Sequence, residues 1–120
     1  MRVQLIDDHA LFRLGLRELL ERRGIEVIAA EGDSDEGIEL ACRQRPDVVL
    51  LDLRMPRLSG LEVLRRLREK KCLMPVVILT TSREERDLVE ALRGGAQGYL
   101  LKDMEPEDLI HALSDVMAGQ

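Results

Sequence analysis

The chain has almost no aromatic side chains. Phe12 and Tyr99 are the only two, 2% of 120 residues. Its core must therefore be aliphatic, and a cofactor held by aromatic stacking has little to stack on. Cysteine is equally scarce. Cys42 and Cys72 are too few and too isolated for a disulfide framework or a zinc site, and they read as reduced thiols of a cytoplasmic protein. No apolar run approaches the ~18 residues that a membrane-spanning helix needs. The N-terminus lacks a signal-peptide pattern, because Asp7 and Asp8 interrupt its first apolar stretch. Positive charge is in deficit: 18 Lys and Arg stand against 23 Asp and Glu, a net charge of -5. Gripping nucleic acid takes clustered Lys and Arg, so the chain is not expected to do this unaided. Repeats and low-complexity tracts are missing too. What remains is 45% hydrophobic residues in 13.6 kDa, enough for the core of one ordinary domain.

Short apolar runs alternate with helical patterns. The strands expected are 3–6, 26–30, 47–51, 75–79 and 98–101. The first helix runs 11–23 with Phe12, Leu16, Leu19 and Leu20 inward and Gly24 as its C-terminal cap. The second runs 34–44, with Ile38, Ala41 and Cys42 on one face and Pro46 beyond its end. Ser59-Gly60-Leu61-Glu62 has the form of a capping box and opens a helix with Val63, Leu64 and Leu67 inside. Ser82 to Glu85 reads as a second box, opening a helix whose inner face is Leu88, Ala91 and Leu92. Pro106 suits the first turn of the last helix, with Leu109, Ile110, Leu113, Val116 and Met117 inward. Leu11 and Leu14 fall outside the inner face of the first helix. They are either scattered surface leucines or part of a dimer contact.

Five βα units with continuously apolar strands imply a parallel sheet buried on both faces. Right-handed crossovers then place helices on both sides. The expected architecture is α/β, doubly wound and flavodoxin-like, with strand order 2-1-3-4-5. In such sheets ligands bind beyond the carboxyl ends of the strands. Asp7 and Asp8 follow the first strand, Asp52 the third, Thr80 and Thr81 the fourth, and Lys102 the fifth. The topology switches between strands one and three, so the three acids share one crevice, flanked by Thr80 and Lys102. Two unit charges ~4 Å apart repel by about 4 kcal/mol at an effective dielectric of ~20. Such a cluster takes up protons or binds a cation, and hard oxygen ligands favour Mg²⁺ over zinc. His9 reads as a helix-start residue and not as a ligand or base.

The stretches LIDDH, VVLLDLRMPRLSGLEVL, VVILTT and GAQGYLLKD resemble the receiver domain of two-component response regulators, over nearly the whole chain. GYLLKDMEPEDL resembles more narrowly the NarL-like subfamily, whose members carry a helix-turn-helix output domain. The resemblance implies that residues 1–120 are one receiver domain, with a C-terminal DNA-binding output domain absent from this chain. It implies that a sensor histidine kinase phosphorylates Asp52. It also implies that Mg²⁺ is held by Asp7, Asp8, Asp52 and the backbone carbonyl of Arg54. Thr80 and Lys102 would bind the phosphoryl group, and Thr80 and Tyr99 would switch. The protein would then catalyse only its own phosphorylation and dephosphorylation, work in the cytoplasm, and reach DNA only through the output domain; a phosphorylation-dependent homodimer is the alternative left open by Leu11 and Leu14. The ammonium of Lys102 is expected to hold Asp52 ionised. Many receivers have Pro after this lysine; here Asp103 stands there, so a trans peptide is expected. The Arg54 side chain either overhangs the phosphoryl group as a shield or points to solvent.

Other functions remain open on the residues alone. A stand-alone receiver would end as this sequence does. An Mg²⁺-dependent aspartyl-phosphate phosphohydrolase usually has a second acid two residues after its nucleophile, where Arg54 stands, and 120 residues leave no room for a substrate cap. A flavodoxin-like cofactor binder would want a glycine-rich phosphate loop.

Overall fold

The computed structural model describes residues 1–119. Ten elements alternate along it: β1 (Arg2–Ile6), α1 (Ala10–Arg22), β2 (Glu26–Glu31), α2 (Ser34–Gln44), β3 (Val48–Leu51), α3 (Gly60–Glu69), β4 (Val76–Thr80), α4 (Glu85–Arg93), β5 (Gly98–Leu101) and α5 (Pro106–Met117). All strand pairs are parallel and the sheet order is β2-β1-β3-β4-β5. The expected architecture is therefore the observed one, with strand limits shifted by a residue or so. Thr80 ends β4 rather than following it.

Successive strand residues face opposite sides of a sheet, and the core divides accordingly. Val3, Leu5, Val48, Leu50, Val77 and Leu79 pack against Leu16 and Leu20 of α1 and Leu109 and Leu113 of α5. Ile6, Val49, Leu51 and Ile78 pack against Ile38, Val63, Leu64, Leu67 and Ala91 from α2, α3 and α4. Phe12 and Tyr99 only border these aliphatic clusters. Local signals mark several helix ends. Gly24 takes a positive φ just past α1, Ser59 accepts the Glu62 N–H at 3.3 Å, and Pro106 opens α5.

Gly60 shows why the β3–α3 loop can lie so close to β3. A Cβ there would stand 2.2 Å from the Asp52 carbonyl oxygen and 2.8 Å from Leu53 Cα. Only glycine fits, and its N–H closes the loop onto the Leu53 carbonyl at 2.8 Å.

Four expectations need correction. Cys42 and Cys72 are not free thiols: they form a disulfide, with Cα atoms 5.6 Å apart. They lie 30 residues apart in sequence, and it is the packing of α2 beside α3 that brings them together. The Ser82 capping box does not form, because α4 begins at Glu85 with Glu84 as its N-cap. The inner face of α4 is Asp87 and Ala91, while Leu92 is 50% exposed and Leu88 also faces outward. Met117 of α5 is exposed as well. The outward leucines of α1 are as expected, with Leu11 87% and Leu14 57% exposed. No helix among the described residues is long and apolar enough to cross a membrane, and none of their peptide bonds is cis.

Candidate functional site

The parallel register delivers the acids to one place. Ile6 pairs with Leu51 across β1 and β3, so the residues that follow, Asp7 and Asp52, leave the sheet side by side. Asp52 donates its N–H to the Ile6 carbonyl at 2.9 Å, and its Oδ1 accepts the Leu53 N–H at 2.8 Å. Asp7 is held from three sides. Its N–H donates to the Glu31 carbonyl at 2.9 Å, its carbonyl accepts from the Arg13 guanidinium, and its Oδ1 accepts the His9 N–H at 2.8 Å.

Lys102 reaches into the cluster beyond β5. Its Nζ lies 2.8 Å from Asp7 Oδ2 and 3.5 Å from Asp52 Oδ2, and it stands 4.4 Å above the Phe12 ring centre. The ammonium thus belongs first to Asp7. Its pull on Asp52 is outweighed: burial, and then the Asp7 charge, push the Asp52 carboxyl above its ordinary range. Lys102 does pull the Asp52 carboxyl down, in the expected direction, but it is not the largest influence there.

His9 was missed by sequence reasoning. It does precede α1 as its N-cap, yet its Nδ1 lies 3.2 Å from Asp7, 3.7 Å from Asp8, 3.5 Å from Asp52 and 3.2 Å from Lys102 Nζ. Its position directly after two acids was the available signal. One ligand atom from each of Asp7, Asp8, His9 and Asp52 falls within 4.8 Å of the others. Two buried oxygens here, Asp8 Oδ1 and Asp52 Oδ2, have no hydrogen-bond partner. Buried acceptors left unpaired are costly. Orphaned hard oxygens in a crowded anionic pocket are what a divalent cation satisfies, and the donor set fits one.

The other wall of the crevice is fully bonded. Thr80 is buried and its Oγ1 accepts the Ser82 N–H at 3.2 Å. Tyr99 donates its hydroxyl to the Ser82 carbonyl at 3.1 Å. The Arg54 side chain neither overhangs Asp52 nor hangs free. Its Nη2 pairs with Asp87 Oδ2 at 2.6 Å and approaches Glu84 at 4.0 Å.

Comparison with known proteins agrees with this geometry. The family model for the response regulator receiver domain matches residues 3–114. The nitrate/nitrite response regulator protein NarL of Escherichia coli K12 is 47% identical over 119 residues, 98% of this chain and 55% of that protein. The chain thus spans about half the length of the curated relatives it matches. Among solved structures, a LuxR-family two-component response regulator from Aurantimonas superposes with a TM-score of 0.93 at 34% identity, covering 99% of this chain and 86% of that one. The signal receiver domain of a response regulator described as NarL, from Mycobacterium tuberculosis, gives the same score and identity, with 99% and 97% covered.

Proposed function

The chain belongs to the response regulator receiver domain family, in its NarL-like branch, and from that premise we propose that it is a switch thrown by phosphorylation of Asp52. One observation carries the reading: Asp52 Oδ2 is buried, has no hydrogen-bond partner, and lies 3.5 Å from the Lys102 ammonium in one cluster with Asp7 and Asp8. That oxygen attacks the phosphorus of a phosphohistidine on a sensor histidine kinase. The P–N bond breaks, its electron pair stays on the histidine nitrogen, and an acyl phosphate forms on Asp52.

Phosphoryl transfer depends mostly on positioning and charge stabilisation. Asp7, Asp8, Asp52 and the Arg54 carbonyl would hold Mg²⁺. When bound, the ion neutralises acidic oxygens that otherwise repel the incoming group. Lys102 then pairs with a phosphoryl oxygen, released from Asp7. The product carries roughly -2 charge and three acceptor oxygens. Thr80 donates its hydroxyl to one of them, which draws the end of β4 inward and frees Tyr99 to turn beside β5. The surface of α4, β5 and α5 changes with it and passes the signal on.

In this reading residues 1–120 are one receiver domain, working in the cytoplasm and turning over no external substrate beyond its phosphodonor. A helix-turn-helix output domain of the full-length protein receives the signal and supplies the DNA contact. The exposed Leu11 and Leu14 would seat a second copy once Asp52 is phosphorylated.

Incubation with Mg²⁺ and acetyl phosphate, followed by intact mass, tests the assignment. Wild type should gain one phosphoryl mass, and Asp52→Asn or excess chelator should prevent it. Labelling that survives Asp52→Asn would sink the proposal.

A further inference from the structure

Asp87 is a buried carboxylate for which phosphorylation of Asp52 has no direct use. It lies on the first turn of α4 and is 6% exposed, although Arg86 and Leu88 beside it face solvent. Two side chains reach it from opposite walls of the crevice. Arg54, from the β3–α3 loop, donates to its Oδ2 at 2.6 Å. Ser82, from the β4–α4 loop, donates its hydroxyl to the same oxygen. Arg54 stands two residues beyond Asp52, and Ser82 two residues beyond Thr80. The rest of Ser82 is engaged as well: its N–H donates to Thr80 Oγ1 at 3.2 Å and its carbonyl accepts from Tyr99 at 3.1 Å. The Ser82 hydroxyl, and then the Arg54 charge, hold the Asp87 carboxyl below its ordinary range, so it is an anion at neutral pH.

We propose that Asp87 is a positioning residue that anchors the β4–α4 loop in its resting place and keeps Arg54 turned away from Asp52, so that it sets how readily Asp52 is phosphorylated. The inference rests on Asp52 being the phosphoacceptor. In the proposed activation Thr80 turns to the phosphoryl group, and because its Oγ1 accepts the Ser82 N–H, the segment from Thr80 to Ser82 moves with it. That movement must break the Ser82–Asp87 bond or drag α4 along. A buried carboxylate stripped of one partner is destabilised, so losing Ser82 weakens the case for staying buried against Arg54. The two contacts therefore release together, and the phosphoryl charge beside Asp52 offers Arg54 a second anion. Through Ser82 the same carboxylate restrains Thr80 and Tyr99.

The test compares wild type, Asp87→Asn, Ser82→Ala and Arg54→Met in the rate of mass gain with Mg²⁺ and acetyl phosphate. A second readout is tyrosine emission, which reports on Tyr99 alone because the chain has one tyrosine and no tryptophan. Asp87→Asn should label roughly tenfold faster, the scale of one charge-assisted hydrogen bond removed from the resting state. Its emission before phosphorylation should move toward that of phosphorylated wild type. Ser82→Ala and Arg54→Met should shift both readouts the same way by less, and adding either to Asp87→Asn should change little more. Should Asp87→Asn fail to fold, Ser82→Ala and Arg54→Met carry the test and must still accelerate labelling. A wild-type rate with unmoved Tyr99 emission in these variants overturns the proposal, as does full additivity. Absence of labelling in wild type itself overturns the phosphoacceptor reading, and the inference falls with it.

Discussion

The two walls of the crevice are built on opposite principles. On the β1–β3 side, Asp7, Asp8 and Asp52 crowd together, two of their buried oxygens have no partner, and Lys102 is shared between two acids. On the β4–β5 side, Asp87, Ser82 and Tyr99 are each paired, Asp87 also with Arg54 reaching across from the β3–α3 loop. The first wall is incomplete and waits for charge from outside. The second is satisfied and must be undone before it can move. A binding site needs the former, because unmet oxygens give a cation something to gain. A switch needs the latter, because a resting state must be held by contacts that can be lost.

A perturbation outside both walls sets the scale. Reducing the Cys42–Cys72 disulfide opens a loop with a sequence separation of 30 that contains β3 and α3. It should lower unfolding free energy by about 3–4 kcal/mol, read by urea titration with and without a reductant. The Mg²⁺ dependence of labelling should survive it. If reduction abolished labelling, the crevice would depend on more than its two walls.

Asp87→Asn should come next, lowering stability by about 1–3 kcal/mol, since it strips a buried acceptor of its charge while Arg54 and Ser82 still point at it. Urea midpoints measure this. On the opposite wall, Asp8→Asn should weaken Mg²⁺ binding by about tenfold or more, a scale of at least ~1.4 kcal/mol, read by titrating the metal against labelling rate. Equal Mg²⁺ affinity in the two proteins would remove Asp8 from the cation site.

The smallest effect is one of sign with pH, followed by urea midpoints in chelator from acid to neutral. Asp52 has its carboxyl raised in the folded state. The fold therefore binds the extra proton, and this residue's contribution is lost as pH rises from the ordinary value of about 3.9 through the raised one. Asp87 has its carboxyl lowered. Its contribution is present above the ordinary value and is lost as pH falls through the lowered one. Asp52→Asn should therefore flatten a decline toward neutral pH, and Asp87→Asn a decline toward acid. The same sign in both would erase the contrast between the walls.

Sequence reading reached the first wall, and Thr80 and Tyr99 of the second, but missed the Asp87 contacts for a physical reason. Asp7, Asp8, Asp52, Thr80 and Lys102 are placed by local rules: each stands at the end of an apolar run, and strand order then gathers them. Asp87 is placed by tertiary partners 33 and 5 residues away. Periodicity alone put Leu88 and Leu92 inside α4, because apolar side chains carry that signal and a bonded carboxylate does not. Ser82 resembled a helix cap because its spacing to Glu85 fits one, yet its hydroxyl found Asp87 instead. The disulfide escaped for the same reason, since nothing local joins Cys42 to Cys72. His9 was hidden by its own helix-start role, which is real but not its whole environment.

The most direct test of the contrast is the urea midpoint of Asp8→Asn against wild type, both in excess chelator. If the acid wall is an incomplete cation site, removing one of its charges relieves repulsion, and the variant unfolds at an equal or higher urea concentration. A midpoint clearly below wild type would mean that Asp8 holds the fold together, and that its crowding beside Asp7 is structural.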